Sequence, residues 1–225
     1  MLEIWQLDEQ LWFPPVHLAL EEPNGLLAFG GDLSPERLKL AYRQGIFPWF
    51  SEGEPLLWWS PAPRMVLFPE EVKISRSLRK RLKRGDFQVT YNQAFSQVIH
   101  ACAELRRHRE GTWITPEMEA AYTQLHQEGV AQSVEVWQEQ QLVGGLYGLA
   151  LGRVFFGESM FSRVSDASKV ALVSLAQRLN ALEFNLIDCQ VHSPHLASLG
   201  AREISRDEFL SLLKQGVEGD QQPIG

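Results

Sequence analysis

The sequence predicts an α/β protein, with some α+β character, built around a mixed sheet, and three observations support that prediction. Segments with the two-residue alternation of strands are interspersed with segments that have the 3.6-residue periodicity of helices. Between residues 133 and 191 they follow the order strand, strand, strand, helix, strand, which is typical of a sheet with parallel and antiparallel neighbours. An apolar share of 44% in 225 residues is sufficient for a core.

The N-terminal part of the chain is rich in turns and aromatic residues. It contains one clear helix, which Ser34 can cap, Pro35 begins and Gly45 ends. The segments that follow, 46–50 and 56–64, combine aromatic residues with prolines, so they are expected to form rigid loops.

The remaining elements are predicted from hydrophobic periodicity and from turn signals. In chain order they are a strand at 65–68, a basic helix at 73–84, a strand at 87–91, helices at 94–105 and 116–127, strands at 133–137, 142–151 and 153–160, a helix at 166–182 and a strand at 186–191. We expect two domains, 1–62 and 63–225, with the polar tail from about residue 216 disordered.

The basic helix stands out because the whole chain has a net charge of −7. An acidic balance argues against nucleic acid, whereas a local cluster of cations can hold phosphates. The exposed face is expected to carry Arg76, Arg79, Lys80 and Lys83, with Arg84 after them. The alternative is a solvated helix face that binds nothing.

Several tryptophans lie beside Gly, Pro or Thr in loop-like segments, including Trp49 and Trp113. Exposed aromatic rings next to a basic surface suit a single-stranded nucleic-acid end, because bases stack on the rings while cations pair with phosphates. The alternative is that these rings fill the core.

The strand at 186–191 carries two polar side chains in an apolar segment. Because strand side chains alternate, Asp188 and Gln190 are expected on the same face. Burying a carboxylate is costly unless it is paired, so Asp188 is a candidate functional residue. The alternative is an Asp that caps a neighbouring loop. His192 and His195 are rival candidates for a general base.

A second carboxylate, Glu158, lies in an aromatic strand and shares a face with Met160. If it is buried alone, its pKa is raised, and it can act as a base or bind a cationic substrate. The alternative is a Glu at a strand edge that pairs with Arg163 or Lys169.

Several functional classes are disfavoured. The sequence has no P-loop, no GxGxxG after a strand, no HExxH and no GxSxG motif, and an ATP- or NAD-driven reaction is therefore disfavoured. Cys102 and Cys189 are far apart and outside any metal-binding spacing, so we expect a reducing, cytoplasmic setting and no metal. No segment is predicted to be a signal peptide or a membrane span.

Seven blocks, in order along the chain, resemble the leucyl/phenylalanyl-tRNA–protein transferase family: Glu22-Pro23-Asn24-Gly25-Leu26-Leu27, Gly30-Gly31-Asp32-Leu33-Ser34, Gly45-Ile46-Phe47-Pro48-Trp49-Phe50, Trp58-Trp59-Ser60-Pro61, Gly111-Thr112-Trp113-Ile114-Thr115, Gly157-Glu158-Ser159-Met160-Phe161-Ser162 and Ile187-Asp188-Cys189-Gln190. The resemblance covers about residues 3–215. It implies a small N-terminal domain followed by an acetyltransferase-like (GNAT-type) domain.

The same resemblance implies transfer of Leu, Phe or Met from aminoacyl-tRNA to an N-terminal Arg or Lys, which marks the acceptor protein for degradation by the bacterial N-end rule. Aminoacyl-tRNA is an activated ester, so the reaction is expected to need no ATP, cofactor or metal. The amine's proton goes either to Gln190 or to the ribose 2′-hydroxyl, and the sequence leaves both routes open.

By resemblance, Gln190 contacts the attacking amine and Asp188 orients and polarises Gln190. Glu158 faces the cationic acceptor residue, while Trp49 and Trp113 stack around the terminal adenosine. The donor side-chain pocket is lined by Leu146, Phe155, Met160, Leu172, Leu175, Leu179 and Ile187, of which Leu175 and Leu179 stand where the family often has Phe. The acceptor-stem phosphates are held by Arg76, Arg79, Lys80, Lys83 and Arg84.

Two other functions remain open at this point. A non-catalytic tRNA- or RNA-binding module explains the basic helix and the loop tryptophans, but it leaves the carboxylates without a role. An acyl-CoA N-acetyltransferase has a similar predicted fold. It is disfavoured because the usual Arg/Gln-x-x-Gly-x-Gly turn is missing before the helix at 166–182.

Overall fold

The computed structural model describes residues 4–107, 114–219 and 223–225. The helices are α1 (Pro35–Arg43), α2 (Arg76–Lys83), α3 (Phe95–Arg107), α4 (Pro116–Gln127), α5 (Ala167–Ala181), α6 (Pro194–Ser198) and α7 (Arg206–Val217). The strands are β1 (Trp5–Leu7), β2 (Leu26–Gly30), β3 (Phe47–Pro48), β4 (Leu57–Trp59), β5 (Arg64–Leu67), β6 (Gln88–Tyr91), β7 (Ala131–Gln138), β8 (Gln141–Leu151), β9 (Val154–Ser162), β10 (Leu186–Gln190) and β11 (Arg202–Ile204).

The strands form two sheets. The smaller has four strands in the order β1-β2-β4-β3, and the larger has seven in the order β11-β5-β10-β9-β8-β7-β6. In the larger sheet β9 and β10 are parallel, and α5 makes the crossover between them, while the other paired neighbours are antiparallel. The predicted α/β class with a mixed sheet is confirmed.

Helices cover both faces of the large sheet. Helix α5 packs on β7, β8 and β9 and itself contacts α2, whereas α3 and α4 pack on the opposite side. The alternation of strand side chains explains the two faces: Leu146 and Tyr147 are neighbours in β8 but belong to different hydrophobic clusters. Leu27 and Trp58 of the small sheet join the cluster that contains Tyr147. The boundary near residue 62 stays a prediction.

Capping residues set the helix starts. Ser34 accepts a hydrogen bond from the Arg37 N–H at 3.4 Å, and Pro35 is the first residue of α1, as predicted. The basic helix is shorter than the predicted 73–84. It starts after Ser75, because the Lys73 N–H donates to the Leu199 carbonyl instead of entering the helix.

The aromatic segments predicted to be rigid loops contain strands β3 and β4. These strands pair antiparallel, with Phe47 opposite Trp59 and Pro48 opposite Trp58. Pro48 does not prevent this pairing because β3 is an edge strand, where a missing N–H costs no ladder hydrogen bond. The prediction of loops was therefore wrong at these residues.

Two described residues of the C-terminal tail are buried, in contrast to the expected disorder, although most of the others are exposed. Gly216 is buried within α7. Ile224 is fully buried, its N–H donates to the Gln132 Oε1 at 2.7 Å, and its carbonyl accepts from the Arg178 Nε at 2.9 Å. Within the described ranges, none of the helices has the length and apolar character needed to cross a bilayer.

Candidate active site

A cavity of about 290 Å³ opens where β9, β10 and α5 meet β3 at the edge of the small sheet. One wall is apolar, and the other carries Glu158 and Gln190. Six of the seven residues predicted for the donor pocket line this cavity: Leu146, Phe155, Met160, Leu172, Leu175 and Ile187. The seventh, Leu179, is fully buried in the same hydrophobic cluster but does not reach the cavity wall.

An extra residue in β9 places Glu158 at the cavity. Tyr147 of β8 pairs with Ser159 and Gly148 pairs with Gly157, so Glu158 is the unpaired residue of a β-bulge. Gly148 is required opposite the bulge, since a Cβ there would lie 2.1 Å from the Phe156 carbonyl oxygen. The bulge also changes the strand's alternation downstream, which lets Met160 face the cavity.

Glu158 is 7% exposed and accepts three hydrogen bonds. Its Oε1 accepts from the Tyr42 hydroxyl at 2.7 Å and from the Gln190 Nε2 at 2.8 Å, and its Oε2 accepts from the Tyr122 hydroxyl at 3.2 Å. The two tyrosine hydroxyls also contact each other. The suggested pairing of Glu158 with Arg163 or Lys169 was wrong.

Burial raises the pKa of Glu158 from 4.5 to about 7, although the hydrogen bonds from Tyr42 and Tyr122 act in the opposite direction. The charge of Asp188 raises the pKa further. Burial and then the charge of Glu158 raise the pKa of both tyrosine hydroxyls well above 10.0. Glu158 is therefore the group of this cluster that titrates near neutral pH, while the tyrosines stay protonated.

The same-face prediction for Asp188 and Gln190 was wrong, because β10 is also bulged. Asp188 pairs with Val66 but Gln190 pairs with Met65, and Gln190 has a left-handed φ of +64°. Gln190 consequently lines the cavity, whereas Asp188 is fully buried behind it.

Asp188 is held by Arg64, a residue that the sequence reasoning missed. The Arg64 Nε donates to the Asp188 Oδ1 at 2.8 Å and its Nη2 donates to Oδ2 at 2.7 Å, a bidentate pair with both partners buried. The guanidinium carbon lies 4.9 Å from the ring centroid of Phe47 and 4.6 Å from that of Phe209. A single Arg at the start of an apolar strand is a weak sequence signal.

Asp188 contacts Gln190 through the backbone. The Gln190 N–H donates to the Asp188 Oδ1 at 2.9 Å, whereas the side-chain amide donates to Glu158. Asp188 therefore fixes the bulged backbone, and Glu158 fixes the amide group. With its Nε2 held in this way, the Gln190 Oε1 is left to accept a hydrogen bond from a ligand.

Other titratable groups of the cavity are less suited to acid–base chemistry. Burial raises the pKa of the Cys189 thiol far above its ordinary value, which keeps the thiol protonated and unreactive. Burial lowers the pKa of His195, Lys169 lowers it further, and its Nε2 is buried with no hydrogen-bond partner among the described residues. His192 is exposed and does not line the cavity.

Trp49 is at the cavity rim and is 48% exposed, so its ring is accessible to a stacking partner. Its position is fixed by Trp59, whose ring centroid is 5.6 Å away and whose Nε1 donates to the Trp49 carbonyl at 2.7 Å. Trp113 lies outside the described residues.

The basic helix presents its cations to solvent and packs against α5, the helix that supplies Leu172 and Leu175 to the cavity. Leu78 is buried, which leaves the opposite face exposed. The exposed cations are Arg76, Arg79, Lys80, Lys83 and Arg84. In the part of the chain that the structure covers, no group of three or more His, Cys, Asp or Glu side chains could hold a metal ion.

The chain was compared with known proteins and structures. A family model described as leucyl/phenylalanyl-tRNA protein transferase matches residues 66–214, and the model of that family's N-terminal domain matches residues 31–62. Solved structures similar to the chain include an aminoglycoside acetyltransferase from a soil metagenome, with a TM-score of 0.40 and 12% identity, over 62% of this chain and 93% of that one. A likeness this distant carries no functional assignment.

Two proteins named leucyl/phenylalanyl-tRNA–protein transferase show closer similarity. The protein from Chromohalobacter salexigens is 64% identical over 213 residues, which cover 95% of this chain and 83% of that protein. The protein from Stutzerimonas stutzeri is 61% identical over 214 residues, or 95% of each chain. The chain therefore belongs to the leucyl/phenylalanyl-tRNA–protein transferase family, whose members are aminoacyltransferases.

Proposed function

We propose that this protein moves Leu, Phe or Met from aminoacyl-tRNA to the N-terminal Arg or Lys of an acceptor protein, in the cytoplasm, and so marks the acceptor for N-end-rule degradation. The observation that supports this proposal most strongly is the contact between the Gln190 Nε2 and Glu158 beside an apolar cavity. It leaves the Gln190 Oε1 available to accept a hydrogen bond from the N–H of an attacking amine. The ester of aminoacyl-tRNA is already activated, so the reaction is a simple aminolysis without ATP or metal.

The donor end fits the apolar wall of the cavity. We place the Leu or Phe side chain against Leu146, Phe155 and Leu172, with the terminal adenosine on the exposed ring of Trp49 and, by resemblance, on Trp113. An apolar pocket distinguishes such side chains by only about 1–3 kcal/mol, which suits an enzyme with several donors. The exposed cations of α2 would hold acceptor-stem phosphates.

The acceptor end fits the polar wall. The N-terminal residue of the acceptor brings positive charge, which complements the Glu158 carboxylate, and its amine reaches the Gln190 Oε1. Asp188 does not contact the substrate in this proposal. It acts on Gln190 through the bulged backbone, which Asp188 and Arg64 hold in place. This division of roles differs from what the resemblance implied, which was that Asp188 itself orients and polarises Gln190.

The function is tested by transfer of radiolabelled Leu from Leu-tRNA to a peptide that starts with Arg, with no ATP present. We expect a labelled peptide, and no label on a matched peptide that starts with Glu. Gln190→Ala is expected to lower turnover, whereas Gln141→Ala at the exposed start of β8 is the matched control.

The outcomes also separate the two alternative functions. Binding of Leu-tRNA without any transfer would overturn the proposal in favour of an RNA-binding module. Transfer of acetyl from acetyl-CoA to the same peptide, without transfer from Leu-tRNA, would identify an acetyltransferase instead.

A further inference from the structure

We propose that Glu158 is the proton acceptor of the aminolysis step and that the hydroxyls of Tyr42 and Tyr122 form a receiving site for that proton. The inference rests on the proposed function and deepens it, because it names the acceptor's α-amine as the group from which Glu158 takes a proton. It follows from a count of protons in the contacts around the Glu158 carboxylate.

Glu158, Tyr42 and Tyr122 form a closed ring of three oxygen–oxygen contacts. Tyr42 contacts Oε1, Tyr122 contacts Oε2, and the two hydroxyls contact each other. Each contact needs one proton to be a hydrogen bond, and the two hydroxyls supply only two. With Glu158 ionised one contact lacks a proton, whereas a proton on Glu158 completes the ring.

The surroundings of the ring also favour proton uptake. Tyr42 faces it from α1, Tyr122 from α4 and Gln190 from β10, and all three are neutral. Asp188 is the nearby anion, and its charge is matched by Arg64. No cation contacts Glu158 among the described residues, so burial is compensated only by neutral donors. The raised pKa of Glu158, about 7, agrees with this geometry.

Gln190 places the amine beside the base. Its Nε2 contacts the Glu158 Oε1 at 2.8 Å. The proposal places the amine on the Oε1 of the same amide, on the side that faces the carboxylate. Both residues line the cavity, which gives the amine access to Glu158. A base must be within hydrogen-bond reach of the proton it takes, and this arrangement meets that requirement.

The proposed step is balanced. The amine nitrogen forms a bond to the ester carbonyl carbon while its proton passes to the Glu158 carboxylate. The bond from that carbon to the ribose 3′ oxygen then breaks, and the departing oxygen takes the proton from Glu158. The carboxylate is regenerated, and neither an oxidant nor a further reactant is needed.

The test is the pH dependence of Leu transfer at saturating Leu-tRNA, measured as both kcat and kcat/KM for the peptide. We expect kcat/KM of the wild type to rise with a midpoint near pH 7, because this ratio reports groups of the enzyme before the peptide binds. Because an α-amine titrates at about 7.7–8.0, two peptides with amines of different basicity are compared, and the midpoint that stays constant belongs to the enzyme. Glu158→Gln is expected to lower kcat about 100-fold or more and to abolish that midpoint, with unchanged binding of Leu-tRNA.

Glu135→Gln is the matched control, because Glu135 is a fully buried carboxylate of the same sheet that bonds Thr90 and Ser133 away from the cavity. This variant should keep the midpoint near pH 7. If Glu158→Gln keeps the midpoint, or loses less than about 5-fold in kcat, the base is another group. If the wild type makes no labelled peptide, the proposed function itself fails, which is a different result.

A measurement of unfolding tests the proton site without any turnover. A carboxyl whose pKa is raised in the folded protein stabilises the fold most below its unfolded pKa, and it loses that contribution as the pH rises to the folded value. The difference in unfolding free energy between wild type and Glu158→Gln should therefore change between pH 4.5 and about 7. A difference that is constant over this range would overturn the proposal.

Discussion

Replacement of Asp188 gives the most direct test of how the site is held. Asp188 is fully buried and forms a bidentate pair with Arg64, and its Oδ1 also accepts the Gln190 N–H. Asp188→Ala leaves the Arg64 guanidinium buried without its anion. We expect a loss of both stability and activity, and the loss of activity follows from movement of the Gln190 backbone.

The magnitude follows from the burial of both partners. Removing one partner of a buried ion pair costs about 3–5 kcal/mol, which is a large part of the roughly 5–15 kcal/mol by which domains are stable. For a chain of this size that corresponds to a melting temperature roughly 6–20 °C lower. Replacing both partners by apolar residues, as in Arg64→Met with Asp188→Leu, should recover much of the loss, because no unpaired charge remains.

The assay is urea unfolding of the wild type, of Asp188→Ala, of the single variants Arg64→Met and Asp188→Leu, and of the double variant that combines the last two. The cycle should give a coupling energy of about 2–4 kcal/mol between the two positions, since each single variant strands a buried charge. The transfer assay is then run well below each melting temperature. Full activity of folded Asp188→Ala would refute the positioning role, and additive single variants would refute the pairing argument.

Three further changes test other parts of the molecule. Leu175→Phe reduces the cavity and should lower kcat/KM for Phe-tRNA relative to Leu-tRNA by about 10-fold or more; an unchanged ratio would remove this residue from the donor pocket. Arg79→Ala combined with Lys83→Ala should raise KM for Leu-tRNA. It should also reduce the slope of log KM against log salt concentration by about one for each phosphate that is no longer neutralised. Lys214→Ala, on the exposed part of α7, should change neither quantity. Gly148→Ala forces a Cβ against a backbone oxygen and should destabilise the protein by about 2–3 kcal/mol in urea unfolding; a neutral effect would contradict the tight bulge.

Local signals made much of the fold predictable. Ser34 and Pro35 mark the start of α1 in the sequence as they do in the structure, and the strand, strand, strand, helix, strand order predicted the mixed sheet. The apolar wall of the cavity was also predictable, except for Leu179, because its residues lie on strands and a helix whose periodicity is clear.

The polar wall of the cavity depends on contacts that are distant in sequence. Tyr42 and Tyr122 meet Glu158 from 116 and 36 residues away, and Arg64 meets Asp188 from 124 residues away. The two β-bulges are equally hidden, because one extra residue changes which face every later side chain occupies. Simple alternation consequently failed at Asp188.

The two buried carboxylates are separated in function by their partners. Asp188 is paired with the Arg64 guanidinium at both oxygens, so its charge is balanced and it holds the backbone of Gln190 in place. Glu158 is also largely buried, although it reaches the cavity, but it receives only neutral donors, so its charge is not matched and its pKa rises to about 7. Sites that need one structural anion and one group that exchanges protons at neutral pH use this kind of difference in environment. The cationic side chain of a bound acceptor matches that charge in part, so the pKa of Glu158 is expected to be lower in the acceptor complex than in the free protein.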